Sequence, residues 1–474
     1  MAYAPVENIV NGSITQEALT AFREDFLKDP RNLLARNAVS KTAVAQVALN
    51  RDIVTSLDHT YSITIKAGEA TSQEKSGRCW LFAGLNTLRV VAMQQMNLEK
   101  FELSQNYPLF WDKLEKSNYF LESILLTLDE PIGSRLLNHI LANPIQDGGQ
   151  WDMFVNIVKK YGVVPKTVMP ETESSSSTWP MTANITAKLR EYAARLRESH
   201  AKGASIDRLR AEKADMLNEV YRMLVIHLGE PPREFEWQWR DKDDNFHRDG
   251  LITPHEFLHK HVPFDLDSMV CLIHCPTSDK RFDTMYTIEY LGNVVGGQII
   301  RYLNVDLPVF KEAALAQLKD GRSVWFGCDV GKGLERELGV LDTHVLDYPL
   351  VYGTEFRLNK AQRLDYCHSA MNHAMVLTGV DLDDAGRPRK WRVENSWGDK
   401  VGDKGFLVMT DRWFDEYMYE VVVDKKYLPE SLLPVLDTEP ISLPPWDPMG
   451  ALAQSCLTER SADPGRPIPP GVTL

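Results

Sequence analysis

The sequence predicts an α+β protein that is mainly helical in its first half and rich in β-strands towards its end. The run that starts at Cys79, CWLFAGLNTLRVVAM, has the length and the Leu/Ala content of a buried helix. Two amphipathic segments, at 185–196 and 209–224, carry apolar residues at helical spacing. Four later runs are short, β-prone and separated by Gly/Asp turns, which indicates an antiparallel sheet or half-barrel: AMVLTGVDL, KWRVENSW, GFLVMT and YEVVVD.

The first predicted helix follows a motif that resembles a capping box, SITQ at 13–16. Leu19, Phe22 and Phe26 then follow at helical spacing, and Pro30 is expected to end the helix. Further along, the serine-rich stretch at 173–178 predicts a loop or linker.

The middle and the end of the chain carry other local signals. FEWQWRDKDDNF predicts a strand, a turn and the start of a return strand, because Phe235, Trp237 and Trp239 alternate with polar residues. The end of the chain, at 454–474, is rich in Pro, Gly and Ser and predicts a disordered tail.

Bulk properties narrow the class of protein. A chain of 474 residues exceeds the usual single domain, so two lobes or one heavily elaborated domain is expected. The formal net charge of −13 argues against nucleic acid as a partner. No apolar run approaches the roughly 18 residues of a membrane span, so no membrane partner is expected.

The start of the chain and the cysteines predict a cytoplasmic location. MAYAPVENIV has neither a basic nor an apolar region of a secretory signal. Six cysteines in so long a chain are too sparse for a disulfide framework, which favours free thiols in a reducing compartment.

Cys79 stands in the setting of a reactive thiol. The stretch QEKSGRCWLF (73–82) places it behind a Ser-Gly-Arg turn and at the head of the predicted helix. A helix N-terminus and a neighbouring imidazolium both favour a thiolate. Gln73 is placed to donate its amide to a developing oxyanion. Taken alone, however, Cys79 is better explained as a small buried hydrophobic residue at a helix start.

A histidine and an asparagine far along the chain complete a candidate triad. His373 precedes a β-run, and Asn395 lies between a strand and a Trp-Gly turn. An asparagine can accept the second N–H of an imidazole and so fix its tautomer and orientation. Singly, His373 also fits a core residue and Asn395 a turn residue.

The order of these motifs makes the chain resemble a known family. Gln, then Cys-Trp, His-Ala and Asn-Ser-Trp-Gly follow one another as in the papain superfamily of cysteine proteases. Further strings make the chain similar to the bleomycin hydrolase family of cytosolic cysteine aminopeptidases, from the N-terminus to Ala453: SGRCW, DGGQW, WFGCDVGK, RVENSWG and WDPMGALA.

The resemblance implies a papain-like two-lobe fold with a helical lobe, an antiparallel β-rich lobe and a large helical insertion. The expected organisation runs as follows: an N-terminal helical or extended segment packed on the core (1–72), the nucleophile lobe (73–150), a mainly helical insertion (151–300), the β-rich lobe with His373 and Asn395 (301–437), a C-terminal arm towards the cleft (438–453) and the tail (454–474).

The resemblance also implies the activity. Cys79, His373 and Asn395 act as the triad with Gln73 at the oxyanion, and the substrates are peptides with a free N-terminus. Bleomycin and related amides or thiolactones are further candidates. The substrate contacts it implies are Gly148, Gly149, Trp397 and a carboxylate at Ala453. A homohexamer is implied, and no metal or cofactor is.

The chain runs 21 residues beyond Ala453. A tail of this composition is hard to bury in a narrow groove, so three outcomes remain open: self-processing trims it, the arm docks imperfectly, or the tail passes the site. Asn372, just before the histidine, is expected to bear on substrate preference.

Three other motifs allow different interpretations. HEFLH at 255–259 matches the helix of zinc peptidases, but it lies between Pro254 and Pro263 and lacks an evident third ligand. DKDDNFHRDG resembles an EF-hand loop but fails at the glycine and the last ligand. CLIHC at 271–275 lacks a second ligand pair. A binding protein with an idle triad is the alternative of another class.

Overall fold

The computed structural model describes residues 12–452, which divide into two compact units. Within that range the first unit consists of 12–57 and Thr343–Arg357, and the second of Asp58–Asp342 and 358–452.

Helices are frequent in both units. In chain order they are α1 (Gln16–Lys28), α2 (Pro30–Val39), α3 (Val44–Val47), α4 (Arg51–Ser56), α5 (Cys79–Gln95), α6 (Asn106–Leu126), α7 (Arg135–Ala142), α8 (Trp151–Tyr161), α9 (Glu173–Ser176), α10 (Trp179–Ala201), α11 (Ile206–Leu228), α12 (Pro254–His261), α13 (Leu307–Lys319), α14 (Tyr348–Tyr352), α15 (Lys360–Asp365) and α16 (Asp411–Tyr417). The first unit contains α1–α4 and α14.

The strands all belong to the second unit. They are β1 (Ile63–Thr64), β2 (Phe235–Arg240), β3 (Phe246–Ile252), β4 (Met269–Ile273), β5 (Thr284–Ile288), β6 (Tyr302–Asn304), β7 (Val324–Cys328), β8 (Leu334–Glu335), β9 (Val340–Leu341), β10 (His373–Leu382), β11 (Pro388–Glu394), β12 (Phe406–Thr410), β13 (Met418–Asp424) and β14 (Ile441–Leu443).

Twelve of these strands form one sheet, and the other two form a hairpin. The sheet has the order β14-β5-β6-β4-β13-β7-β10-β11-β12-β9-β8, with β1 paired to β10. Its centre, β4-β13-β7-β10-β11-β12, is antiparallel throughout. Outside this centre, β4–β6, β5–β14 and β9–β12 are parallel pairs. The predicted antiparallel β-rich region is therefore the middle of a larger mixed sheet.

Several predicted elements occur where the sequence placed them. Helix α5 begins at Cys79, the two amphipathic segments are α10 and α11, and the four β-prone runs are β10 to β13. FEWQWRDKDDNF forms β2 and the turn into β3.

Other local predictions differ from the structure. The cap of α1 is Thr15, whose side chain accepts the Ala18 N–H, rather than a box starting at Ser13. Pro30 is the first residue of α2 rather than only a stop signal. The serine-rich loop contains α9, closed by a capping box between Thr172 and Ser175. The 151–300 segment, predicted to be mainly helical, contains α8–α11 as far as Leu228, and α12 together with the short strands β2–β5 after it.

Helix α5 is the buried centre of the second unit. Every residue from Cys79 to Val90 is buried, which is the pattern of a helix surrounded by protein. Trp325 of β7 donates its indole N–H to the carbonyl of Trp80 at 3.3 Å, so the start of α5 contacts the middle of the sheet. No helix among residues 12–452 is long and apolar enough to cross a membrane.

Candidate active site

Cys79 is the first residue of α5 and is fully buried. The carbonyl of Arg78 accepts the N–H groups of Leu81 and Phe82 at 2.9 and 3.1 Å, which starts the helix one residue before the thiol. The unpaired N–H groups of a first helical turn favour an anion at that position. The prediction that Cys79 lies at a helix N-terminus is confirmed.

His373 and Asn395 are brought together by β10 and β11. His373 is the first residue of β10, Asn395 follows the last residue of β11, and the two strands are antiparallel neighbours. His373 Nε2 lies 2.9 Å from Asn395 Oδ1, and both residues are buried. The ring of Trp397 packs on the imidazole at a centroid distance of 5.0 Å.

The hydrogen bonds define the tautomer of His373. Asn395 Oδ1 also accepts the backbone N–H of Ser396 at 2.8 Å, so the oxygen of the amide must face this side. Because an oxygen only accepts, His373 Nε2 carries the proton and Nδ1 has the lone pair. Nδ1 is buried without a hydrogen-bond partner among residues 12–452, which leaves it available to take a proton.

Burial lowers the pKa of His373 to about 4, and the bond to Asn395 only partly opposes this effect. The neutral imidazole is therefore favoured unless a nearby anion stabilises the charged form.

Strand β7 links the histidine to the nucleophile. Cys328 pairs directly with His373 in the register of β7 and β10. Burial, then Asp329, then Cys79 raise the pKa of the Cys328 thiol, so Cys79 lies within electrostatic range of Cys328. The same strand contacts Trp80 through Trp325. The start of α5 and the start of β10 therefore meet at the end of β7.

Gln73 is fixed against the segment that carries Asn395. Its Oε1 accepts the Ser396 hydroxyl at 2.7 Å, and its backbone N–H donates to the Ser396 carbonyl at 2.8 Å. Its Nε2 donates to the carbonyl of Ser76 at 2.5 Å, within the turn that leads to Cys79. The structure thus places Gln73 between the two halves of the candidate triad. Ser396 was not predicted from the sequence, although its place beside Asn395 was visible.

Gly148 and Gly149 lie between α7 and α8. The Gly148 carbonyl accepts a hydrogen bond from the buried ammonium of Lys116 at 2.6 Å. A Cβ on Gly149 would come within 2.5 Å of the Trp80 ring, so packing against the nucleophile helix already requires glycine here. Gly149 therefore packs against Trp80, the residue that follows Cys79.

The C-terminal arm reaches the same place. Gln150 Nε2, next to Gly149, donates to the carbonyl of Ala451 at 2.7 Å. Met449 and Leu452 of the arm are buried. The predicted carboxylate position, Ala453, and the predicted disordered tail at 454–474 lie outside the described residues.

Asn372 makes contacts that its sequence position did not reveal. Its side chain donates to Asp329 Oδ1 at 2.6 Å and accepts the Val330 N–H at 3.1 Å. These bonds hold the residue before His373 on the end of β7. The signal was absent from the sequence because the partners lie 42 or more positions away.

The alternative metal motifs have other structural explanations. In HEFLH, Glu256 closes the capping box of α12 with Thr253, and His255 Nε2 lies 3.1 Å from the carbonyl of Lys159. Asp241 accepts backbone N–H groups within the turn of the β2–β3 hairpin. Within residues 12–452 no group of three or more His, Cys, Asp or Glu is arranged to hold a metal ion.

Fold and comparisons define the class of protein as a cysteine peptidase with a papain-like fold. The Peptidase C1-like family model matches residues 13–450, so the chain belongs to that family. Among relatives, aminopeptidase C of Lactobacillus delbrueckii subsp. lactis is 43% identical over 443 residues, covering 93% of this chain and 98% of that protein. Human bleomycin hydrolase is 43% identical over 453 residues, covering 94% and 100%.

A solved structure agrees with these matches. The crystal structure of PepW from Lactobacillus rhamnosis HN001 (DR20) superposes with a TM-score of 0.92 at 48% identity, covering 94% of this chain and 100% of that chain. The predicted resemblance to bleomycin hydrolase and the cysteine aminopeptidases is confirmed.

Proposed function

We propose that this protein is a cysteine aminopeptidase that hydrolyses peptides with a free N-terminus through Cys79, His373 and Asn395. The observation that carries the proposal is the bond between His373 Nε2 and Asn395 Oδ1, which directs the lone pair of Nδ1 away from the asparagine. A buried imidazole held in this tautomer serves as the base for a thiol at a helix N-terminus.

The reaction proceeds in two halves. The Cys79 thiol gives its proton to His373 Nδ1, and the sulfur forms a bond to the scissile carbonyl carbon. The C–N bond then breaks, and the amine leaves with the proton from Nδ1. Water attacks the thioester and returns its proton through His373, which releases the acid and the thiol.

The oxyanion of each tetrahedral intermediate needs preorganised donors. The Cys79 backbone N–H and the amide of Gln73 are proposed for this role, since Ser396 and Ser76 hold the Gln73 side chain in place. Removing one such donor typically costs about 100-fold to 1000-fold in kcat.

The arm supports exopeptidase specificity. Gln150, next to Gly149, holds the arm at Ala451. We propose that the arm there blocks the path of a longer N-terminal substrate chain. A carboxylate near Ala453 would also pair with the substrate's α-ammonium. We propose Gly148, Gly149 and Trp397 as the other substrate contacts. Bleomycin is proposed as a further substrate, together with related amides and thiolactones of similar shape.

A free peptide and its N-acetylated counterpart test the exopeptidase assignment. The free peptide should lose its first residue rapidly, and the acetylated one should resist. Internal cleavage of the acetylated peptide at the same rate would refute the assignment. The alternative, a binding protein whose triad is not catalytic, is tested separately by alkylation. If it is correct, iodoacetamide should alkylate Cys79 no faster than the other thiols.

Trimming of the tail is the proposed source of the carboxylate. Intact-mass measurement on purified protein should show a chain that ends near Ala453. A full-length protein with complete aminopeptidase activity would refute the trimming.

We also propose a homohexamer, formed through the first unit. Large apolar side chains are exposed on its helices α1, α2 and α14 and on the segment that follows α14. Among them are Phe22, Leu34, Leu350 and Phe356, which are 61–71% exposed. Exposed apolar patches of this kind mark protein interfaces. Leu34→Glu/Leu350→Glu should lower the mass measured by light scattering, whereas Ile226→Glu on α11 should not. The cytoplasm is the proposed compartment, since the five described cysteines are free.

A further inference from the structure

Asp147 is a partly buried residue between α7 and α8, one residue before Gly148, and it accepts hydrogen bonds from three neighbouring parts of the chain. Its Oδ2 accepts the Gly77 N–H at 2.9 Å and the hydroxyl of Thr178. Its Oδ1 accepts the ammonium of Lys113 at 2.6 Å. One carboxylate thus joins the turn before α5, the start of α10 and helix α6.

The contacts of Asp147 lie on both sides of the nucleophile. Gly77 precedes Cys79 by two residues, and its N–H ends on the Asp147 carboxylate. Trp80 follows Cys79, and its indole N–H donates to the Asp147 carbonyl at 2.7 Å. Asp147 therefore holds the chain both just before and just after Cys79.

The same residue belongs to the segment that carries the two glycines. Two buried ammoniums of α6 hold its backbone: Lys113 donates to the Ile145 carbonyl at 2.6 Å, and Lys116 to the Gln146 and Gly148 carbonyls at 3.0 and 2.6 Å. Within this segment, Asp147 is the residue that also contacts Gly77, in the turn before Cys79.

The charge of Lys113 and several hydrogen bonds keep the carboxyl group of Asp147 ionised. Burial opposes ionisation of Asp147, but the charge of Lys113 and the hydrogen bonds from Lys113, Thr178 and Gly77 hold its pKa well below its usual range. A carboxylate with this number of donors is an acceptor in a fixed geometry at neutral pH.

We infer that Asp147 is a positioning residue that sets the separation between the Cys79 thiol and the backbone of Gly148–Gly149. The inference rests on the proposed function. If the peptide backbone lies on the glycines, this separation places the scissile carbonyl relative to the sulfur. A misplacement of about 1 Å can cost on the order of 100-fold in rate.

Two double variants separate the effect of the hydrogen-bond acceptor at position 147 from the effect of its charge. Asp147→Asn/Lys113→Met removes both charges but keeps an oxygen for Gly77 and Thr178. Asp147→Leu/Lys113→Met has a similar shape and no acceptor. We measure kcat and KM on a free peptide, the rate at which iodoacetamide alkylates Cys79, and the thermal midpoint.

The Leu variant should show kcat/KM lower than the Asn variant by on the order of 100-fold, with slower alkylation. Equal kcat/KM and equal alkylation in the two variants would overturn the inference. If wild-type protein hydrolyses no peptide, the proposed function fails instead, and the alkylation comparison still tests the positioning of Cys79.

Folding defects are separated by two further variants. Val220→Ala, in the buried face of α11, supplies a matched loss of thermal midpoint without a contact to the site. If the Leu variant does not fold, Thr178→Val removes only the hydroxyl that donates to Asp147 Oδ2, at nearly unchanged side-chain volume. It should lower kcat/KM by about 10-fold, the effect of one hydrogen bond, and an unchanged kcat/KM would overturn the inference.

Discussion

At the scale of single residues, the orientation of His373 depends on a neighbour of its partner. Ser396 gives its N–H to Asn395 Oδ1 and its hydroxyl to Gln73 Oε1. One serine therefore fixes the amide that orients the imidazole and also the amide proposed for the oxyanion. Asn395 Nδ2 is buried without a hydrogen-bond partner within residues 12–452, so the side-chain hydrogen bonds of this asparagine are made through its oxygen.

Alanine at His373 should cost more activity than alanine at Asn395. Removing His373 removes the base and the acid, which contribute about 100-fold to 10,000-fold. Removing Asn395 removes one orienting hydrogen bond, so we expect about 10-fold in kcat. Steady-state kinetics on a free peptide decide it, with circular dichroism as the folding control. An equal or larger loss for Asn395→Ala contradicts the roles assigned here.

The neutral state of His373 should appear as a pH dependence of stability. With the thiol removed in Cys79→Ala, the folded pKa of about 4 lies below the ordinary value of 6.5, so the unfolded chain binds the proton first. The contribution of His373 is present above pH 6.5 and is lost as the pH falls towards 4.

The free energy of unfolding of Cys79→Ala should therefore drop by about 3 kcal/mol more over this window than that of Cys79→Ala/His373→Gln. Denaturant titrations at several pH values measure both. Parallel curves for the two variants would mean that burial does not lower the pKa of His373.

At the scale of elements, α5 is held against the end of β11 by a buried ion pair. Arg89 of α5 donates to Glu394, which precedes Asn395, and neither side chain is more than 2% exposed. Arg89 also donates to the Glu69 carbonyl at 2.9 Å. The helix of the nucleophile and the strand of the asparagine are therefore joined far from the thiol itself.

Arg89→Met should destabilise the fold strongly, because it leaves the Glu394 carboxylate buried without its partner. Such losses are typically about 3–5 kcal/mol. Arg89→Met/Glu394→Gln removes both charges and should recover part of this loss. Thermal midpoints of the single and double variants provide the measurement. A double variant less stable than Arg89→Met would show that Glu394 is stabilised by other groups.

The sequence predicted elements better than their partners. Helices α5, α10 and α11 have local signals in apolar spacing, and β10 to β13 have runs of β-prone residues. Strands β4 and β5 gave no separate signal, and their register with β13 and β14 depends on residues more than a hundred positions away. The same holds at the site: Cys79, His373 and Asn395 followed from motifs, whereas the contacts of Asp147 and Ser396 exist only once the chain is folded.

At the scale of the whole molecule, the C-terminal arm is held at three successive points along its length. Strand β14 adds to β5 at one edge of the sheet. Lys280, which is nearly buried, then pairs with Asp447 at 2.9 Å. Gln150 finally holds Ala451 beside the glycines. The last contact adjoins Gly149, which packs on Trp80 next to Cys79, so it should bear most directly on which substrates enter.

Releasing that last contact should weaken the exclusion of longer chains. Gln150→Ala removes the donor to the Ala451 carbonyl but leaves β14 and Asp447 in place. We expect cleavage of an N-acetylated peptide, relative to the free peptide, to rise by about 5-fold to 10-fold, the effect of one hydrogen bond. Ser442→Ala, which removes an exposed contact of the arm to Glu289, is the matched control and should leave the ratio unchanged. If both variants keep the wild-type ratio, the arm at Ala451 does not set the exopeptidase preference, and the exclusion must come from residues closer to the thiol.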